Sequence, residues 1–249
     1  MERTSKKTRA GRALPRTFSE RRVRALVKAV ASAPARRGVF NPWVEVDREH
    51  DLGPASPGIR RRHLAGYLRP RAHRSRLVLI GEALGYQGGH FSGIAMTSER
   101  ILLGHKSREG IPAAAVLPAP APRRSSSPRF KPLGFSEPTG TIVWKQLLGL
   151  GLDPFAFVLW NAFPWHPFSP GRGMLSNRRP TAVELASGEP VLRRFLEIFP
   201  GAVVLAVGRV AEAVLRDLGV AAVSVRHPAN GGAVTFRRQI GRLLSAEGT

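Results

Sequence analysis

"LVLIGEALGYQGGHFSGIAMTSER", residues 77–100, opens as an apolar run and turns into a loop with five glycines, among which stand Glu82, Tyr86 and Phe91. Residues 77–80 show no polar alternation, so they read as a strand buried on both faces. Three further runs share that character: "FVLWN" (157–161), "VVLAVG" (203–208) and "AVSVRH" (222–227). Helical patterns fall between or after them, at 140–149, 181–186, 190–199, 210–218 and 233–244. Apolar strands alternating with amphipathic helices predict a three-layer α/β/α sandwich around a central, mainly parallel four-stranded sheet. In open sheets of this kind ligands bind at the carboxyl ends of the strands.

Upstream, residues 1–17 are basic and lack a hydrophobic period, so a disordered tail that touches phosphates is expected there. Residues 18–249 read as a single domain. Residues 18–33 place Val23, Leu26, Val27 and Val30 on one helical face, with Ser19 as N-cap. "FNPW" (40–43) and residues 53–58 read as loop, and residues 59–68 as a short basic helix exposing Arg60, Arg61 and Arg62. Residues 105–138, rich in Pro, Ala, Ser and Arg, hold no period and are expected to form a flexible insertion.

The chain of 249 residues carries 39 Lys+Arg against 17 Asp+Glu, a formal charge of +22. Such an excess implies a polyanionic partner, most simply nucleic acid, through phosphate contacts and counterion release. The plainer alternative is a basic proteome from a GC-rich genome. With no cysteine, disulfides, thiolate zinc sites, a catalytic Cys and a Cys-held iron–sulfur cluster are excluded. No apolar run reaches about 18 residues, and the basic N-terminus lacks an apolar h-region, so neither a membrane span nor a secretory signal is expected. No metal and no cofactor is expected, and the location expected is the cytoplasm.

Three strand ends carry the candidate chemistry. After the first, Gly81, Gly85, Gly88, Gly89 and Gly93 let backbone approach a flat ligand. Their spacing is not that of a dinucleotide fingerprint, and the Gly-Lys-Ser/Thr of a Walker loop is absent. A generic glycine turn is the alternative. The second strand ends at Asn161, in "WNAFPWHPFSP" (160–170). An amide presents a donor and an acceptor side by side, as a base edge does; a turn-forming Asn is the competing reading. Phe163, Trp165 and Phe168 are expected to pack beneath, with His166 structural. The last is "VRHPANGG" (225–232), where a strand ends at His227 and Pro228 turns the chain. Convergence of the three on one sheet edge favours a functional site.

In these motifs the sequence resembles the uracil-DNA glycosylase superfamily. A first loop of the form G-E-x-x-G, an Asn at the next strand end and a final H-P loop occur in that order over roughly residues 77–244. The match is nearest to bacterial branches related to the iron–sulfur glycosylases. Those relatives hold a cluster with four cysteines, which this chain lacks. Leu84 stands where their loop has Pro, Ala83 where the archetypal uracil enzymes have Asp, and Ala229-Asn230 where their final loop reads Ser-Pro.

The resemblance implies a monomeric bacterial enzyme, associated with the nucleoid, that flips uracil out of single- or double-stranded DNA and hydrolyses its glycosidic bond. Glu82 and His227 would be catalytic. Gly81, Ala83, Gly85, Tyr86, Phe91 and Asn161 would bind the base: Phe91 stacks on it, Asn161 reads its edge and Tyr86 crowds C5. Ser92, Ser98, Arg226, Pro228, Ala229, Asn230 and Gly231 would contact DNA. Two other classes compete: a non-catalytic binder of damaged or uracil-containing DNA, and a nucleotide-binding α/β enzyme unrelated to repair. Within the glycosylase class, hypoxanthine, xanthine or a modified uracil are alternative targets.

Overall fold

The computed structural model describes residues 16–246, and the side chains of residues 18–245. The tail expected over residues 1–17 therefore lies outside the described residues up to residue 15, while Arg16 and Thr17 already open the first helix. In chain order the elements are α1 (Arg16–Ala31), β1 (Val39–Phe40), α2 (Ser56–Arg71), β2 (Leu77–Ala83), α3 (Gly89–Ser92), α4 (Glu99–Leu102) and α5 (Ala113–Val116). Then follow α6 (Pro138–Gly149), β3 (Phe157–Phe163), β4 (His166–Pro167), α7 (Ala182–Leu196), β5 (Val203–Val207), α8 (Arg209–Asp217), β6 (Val223–Val225) and α9 (Ala233–Ala246).

Four strands form a wholly parallel sheet in the order β3-β2-β5-β6. β2 is central and β3 lies at one edge, yet both are apolar through residues 77–80 and 157–160, all buried. β6 is an edge strand, with Val223 and Ser224 exposed. Alternation along β3 fixes the layers. Trp160 stacks on Phe195 of α7 at 4.6 Å, whereas Phe157, three residues away and so on the opposite face, meets Trp144 of α6 at 5.1 Å. Helices thus cover both faces, giving the expected three-layer sandwich. Asn161 shares the parity of Phe157 and faces the α6 side.

Several local expectations need correction. Ser19 is not an N-cap: the helix begins three residues earlier, at Arg16, and leaves the Ser19 hydroxyl buried without a partner. The patterns at 181–186 and 190–199 are one helix, α7, which carries Pro190 inside it. "FNPW" is not all loop, because Phe40 pairs with His166 in a small antiparallel sheet. Arg61 and Arg62 are exposed, but Arg60 is fully buried. Its guanidinium meets Asp51 at 2.6 and 2.8 Å and also donates to the carbonyls of Pro42 and Glu45. Paired with a carboxylate and hydrogen-bonded through each of its three nitrogens, the charge tolerates burial.

The region from 105 to 138, read from composition as a flexible insertion, is tied to the core at several points. Ile111, Val116, Leu117 and Phe135 are buried. Glu99 accepts from the backbone N–H of Ser125 and Ser126, at 2.7 and 3.0 Å. Arg71 adds the firmest link. Its five donors all go to main-chain carbonyls, those of Tyr67, Ala115, Val116, Pro154 and Phe157, at 2.7–3.1 Å. The guanidinium also sits 3.9 Å from the centre of the Tyr67 ring. One side chain thereby joins α2, α5 and the start of β3.

Two histidines carry similar bonds. His63 donates from Nδ1 to the Ser92 carbonyl and accepts the Arg123 N–H at Nε2, both near 3 Å. Its neutral tautomer is locked, and burial lowers its pKa from 6.5 to about 4. His166 Nε2 donates to the Ser176 carbonyl at 2.8 Å, and its Nδ1 faces His90 Nδ1 at 2.9 Å. His90 Nε2 in turn lies 3.2 Å from Asp47.

Two outcomes follow for stability. Replacing Arg71 by Met leaves its buried carbonyls without donors, and is expected to cost about 3–5 kcal/mol in urea unfolding at unchanged m-value. A loss below about 1 kcal/mol would refute the stapling role. For His63 the folded pKa lies below the unfolded one, so the unfolded chain binds the extra proton between about pH 4 and 6.5. Stability from this group is complete above 6.5 and lost as pH falls through that window. The melting midpoint should fall from pH 7 to 4, less steeply in His63→Gln; equal slopes would exclude His63 as a source.

Candidate active site

The carboxyl ends of the strands frame a cleft of about 720 Å³, a size that takes a nucleoside-sized ligand. In-register pairing sets Gly81 of β2 directly beside Asn161 of β3. A Cβ at position 81 would lie 2.7 Å from Asn161 Oδ1 and 3.4 Å from Met96 Sδ. Glycine is thus required for the amide to lie flat along the cleft floor. Asn161 is buried, and its Nδ2 finds no hydrogen-bond partner among the described residues. An orphaned amide donor at the base of an open cleft is the kind of group a ligand satisfies.

Glu82 follows at the end of β2, half-buried on the cleft wall. Burial raises its pKa, and the charge of Arg179 partly counters that. The loop beyond is pinned at both ends: Leu84 N–H donates to the Trp165 carbonyl at 3.2 Å, and Tyr86 N–H to Asn177 Oδ1 at 3.0 Å.

His227 closes the opposite side, one residue beyond Arg226, which follows β6. The Ala229 N–H donates to its Nδ1 at 3.1 Å. With Nδ1 accepting, the imidazole proton sits on Nε2. Burial, reinforced by the charge of Arg226, lowers the His227 pKa, so the ring is neutral with an N–H to offer. Pro228, Ala229 and Asn230 continue the wall, Asn230 with a left-handed backbone at φ 52°.

The structure therefore brings together Gly81, Glu82, Ala83, Gly85, Asn161, His227, Pro228, Ala229 and Asn230. Other expected site residues lie elsewhere. Phe91 is fully buried, stacked on Phe135 at 4.1 Å and packed against His90. Ser92 and Ser98 are also buried: Ser92 bonds the carbonyls of Ile94 and Thr97, and Ser98 caps α4 by accepting from Ile101. Their hydroxyls are spent inside the chain and do not reach a phosphate. For Phe91 and Ser92 the short helix α3 is the reason, since it holds residues 89–92 buried. Tyr86, Arg226 and the exposed Gly231 flank the cleft without lining it.

Of the lining residues that escaped the sequence reading, three stand out. Met96 adopts a positive φ of 47°, rare outside glycine, and lies over Gly81. Glu137 precedes α6, and burial raises its pKa to about 7. Arg179, exposed at the rim, supplies positive charge; its neighbour Arg178 is engaged by Glu184 at 2.6 and 2.7 Å. The available signal for Glu137 was an isolated acid before a helix in a chain poor in acids. Met96 gave none beyond its place in the glycine-rich stretch. Among the described residues no cluster of three His, Asp or Glu side chains is set to hold a metal ion.

No curated protein matches the chain. Among solved structures it is similar to wild-type SMUG2 of Pedobacter heparinus, with a TM-score of 0.58 and 15% identity over 91% of this chain and 98% of that one. At that identity the likeness concerns the fold. The model of the Uracil DNA glycosylase superfamily matches residues 71–241, from the end of α2 to the last helix. That span holds β2, β3, β5 and β6 and the residues that line the cleft. The chain belongs to the uracil-DNA glycosylase superfamily, whose members are DNA glycosylases.

Proposed function

We propose that the protein excises uracil from DNA, single- or double-stranded, by hydrolysing the N-glycosidic bond and leaving an abasic site. The observation that carries this reading is the orphaned Asn161 amide on the floor of a cleft walled by Glu82 and His227. A base within a duplex cannot reach such a floor, so it is flipped out. Asn161 Nδ2 donates to uracil O4 and Oδ1 accepts from N3–H, a pairing that cytosine, with its reversed edge, does not match.

Cleavage breaks the C1′–N1 bond, with the electron pair passing to the leaving uracil. His227 Nε2–H donates to the O2 that gains charge, and a neutral donor already in place needs no reorganisation. The sugar cation is captured by water, whose proton Glu82 accepts. A carboxyl with a raised pKa is a stronger base than an ordinary one once ionised. Ala83 offers no second carboxylate in this loop, so Glu82 carries the step alone there. Met96, in place of Phe91, supplies the apolar surface beside the base. Pro228, Ala229 and Asn230 press into the minor groove next to the vacated position, and the rim arginines hold phosphates. On this reading the enzyme acts as a monomer on the nucleoid in the bacterial cytoplasm.

Oligonucleotides carrying one damaged base each, scored for abasic sites, test the reading. Uracil is expected to be cut, and absence of cleavage at any base would reject glycosylase action. Asn161→Ala and His227→Ala should each lower kcat/KM by about 10²–10³-fold. Unchanged rates in Asn161→Ala would sink the base-reading role. Tight binding to uracil or abasic DNA without turnover in the wild type would favour a non-catalytic binder instead.

A further inference from the structure

Glu137 is the one cleft carboxylate for which the mechanism above has no use. The residue as a whole is half-buried, yet its Oε2 is sealed from solvent and has no hydrogen-bond partner among the described residues. Helix capping does not explain it. Glu137 occupies the N-cap position of α6, but its side chain makes no capping bond; its backbone carbonyl receives the N–H and hydroxyl of Thr141 instead. Nor is the carboxyl there by default of space. A Cβ on Gly88 would fall 2.2 Å from Oε2, and one on Gly140 would fall 3.0 Å from it. Two glycines, one from each side, leave room for this one group. Gly140 itself closes against the Met96 main chain.

An unpaired carboxylate in such a position is costly, whereas the neutral acid is tolerated. Burial raises the Glu137 pKa to about 7. The two glycines that flank it, Gly88 and Gly140, bring no charge. Charged and titratable groups elsewhere in the cleft are Glu82, His227, Arg178 and Arg179. The neutral acid is therefore available at neutral pH, and it can donate where a carboxylate can only accept.

We propose that Glu137 is a base-contacting residue that works as a neutral acid, donating its O–H to an acceptor of the flipped base beside the edge held by Asn161. The inference rests on the base-pocket reading above. Two donors, Asn161 Nδ2 and the Glu137 hydroxyl, then face the ligand, which suits bases with two carbonyl or ring-nitrogen acceptors. Deaminated bases as a class have that pattern. An ionised Glu137 would repel the same acceptors, so binding weakens as pH rises through its pKa.

Single-turnover excision from a uracil-containing oligonucleotide by the full chain decides it, using wild type, Glu137→Gln and Glu137→Leu between about pH 6 and 9. Gln keeps a donor and the shape but does not ionise. The wild-type rate should fall about tenfold on the alkaline side, while Glu137→Gln stays within about threefold of the wild-type value at pH 6 and loses that limb. Glu137→Leu should lose about 30-fold or more throughout. The proposal is overturned if Glu137→Gln is as damaged as Glu137→Leu, if it keeps the same alkaline limb, or if Leu is harmless. Should Glu137→Leu fail to fold, the comparison of Gln with wild type is sufficient. A wild type inactive on every damaged base rejects the glycosylase reading and this contact with it, an outcome distinct from an active enzyme indifferent to residue 137.

Discussion

Asn161 stands where it does because residues 77–80 pair with 157–160 in parallel register, and that pairing controls the cleft. A slip of one residue would turn the amide to the α7 face and bring Phe157, Leu159 and Asn161 out of their layer. It would also set a side-chain-bearing residue against the amide where Gly81 now leaves room. The second pairing, of β2 with β5 at residues 77–80 and 203–206, carries β6 to the same edge of the sheet. His227 arrives as a consequence, two residues past the last residue of β6. Chain order and spatial order differ here: β3 lies on one side of β2, while β5 and β6 lie on the other. The crevice sits at that change of direction, as the rule for open parallel sheets requires.

Polar groups in this molecule divide into two kinds. Away from the cleft most are buried with partners, Ser19 Oγ, Trp43 Nε1 and Trp160 Nε1 being exceptions. Arg71 places five donors on carbonyls, Arg60 has Asp51 and two carbonyls, Glu99 holds Ser125 and Ser126, and His63 is bonded at both nitrogens. At the cleft floor the pattern reverses, because Asn161 Nδ2 and Glu137 Oε2 are sealed from solvent and unbonded. A fold that satisfies an arginine five times over has the means to satisfy an amide. Leaving these two open stores hydrogen-bonding capacity for a ligand, and the firm staples elsewhere supply the stability that such orphans cost.

Much of the fold was legible because parallel strands covered on both faces read as unbroken apolar runs, and the strand-end motifs mark where those runs stop. What stayed hidden depends on partners distant in sequence. Arg60 sits in a row of three arginines, and nothing local separates the buried one from its exposed neighbours; Asp51 and the carbonyls of Pro42 and Glu45 make the difference. Phe91 looked like a stacking face, but the turn of α3 drives it against Phe135, a residue from the Pro-rich segment. That segment has no period of its own, since its anchors, Glu99 and Arg71, lie in other elements. Glu137 was unreadable for the same reason. Its meaning comes from Gly88 and Gly140, whose role as spacers appears only when the two are seen on either side of one carboxyl.

A chain with a net charge of +22 nevertheless puts carboxyl groups at the centre of its cleft, and the two facts are compatible once protonation is considered. DNA brings phosphates to the rim, where Arg179 is exposed, whereas Arg178 is largely neutralised by Glu184. Deeper in, full negative charges on both Glu82 and Glu137 would repel the approaching backbone. Burial raises the pKa of each, and Glu137 most clearly, to about 7. Near neutral pH Glu137 is then substantially protonated, while the charge of Arg179 favours ionisation of Glu82, the base of the proposed reaction. The proposed reaction then has its anion at Glu82 without two full negative charges facing the substrate.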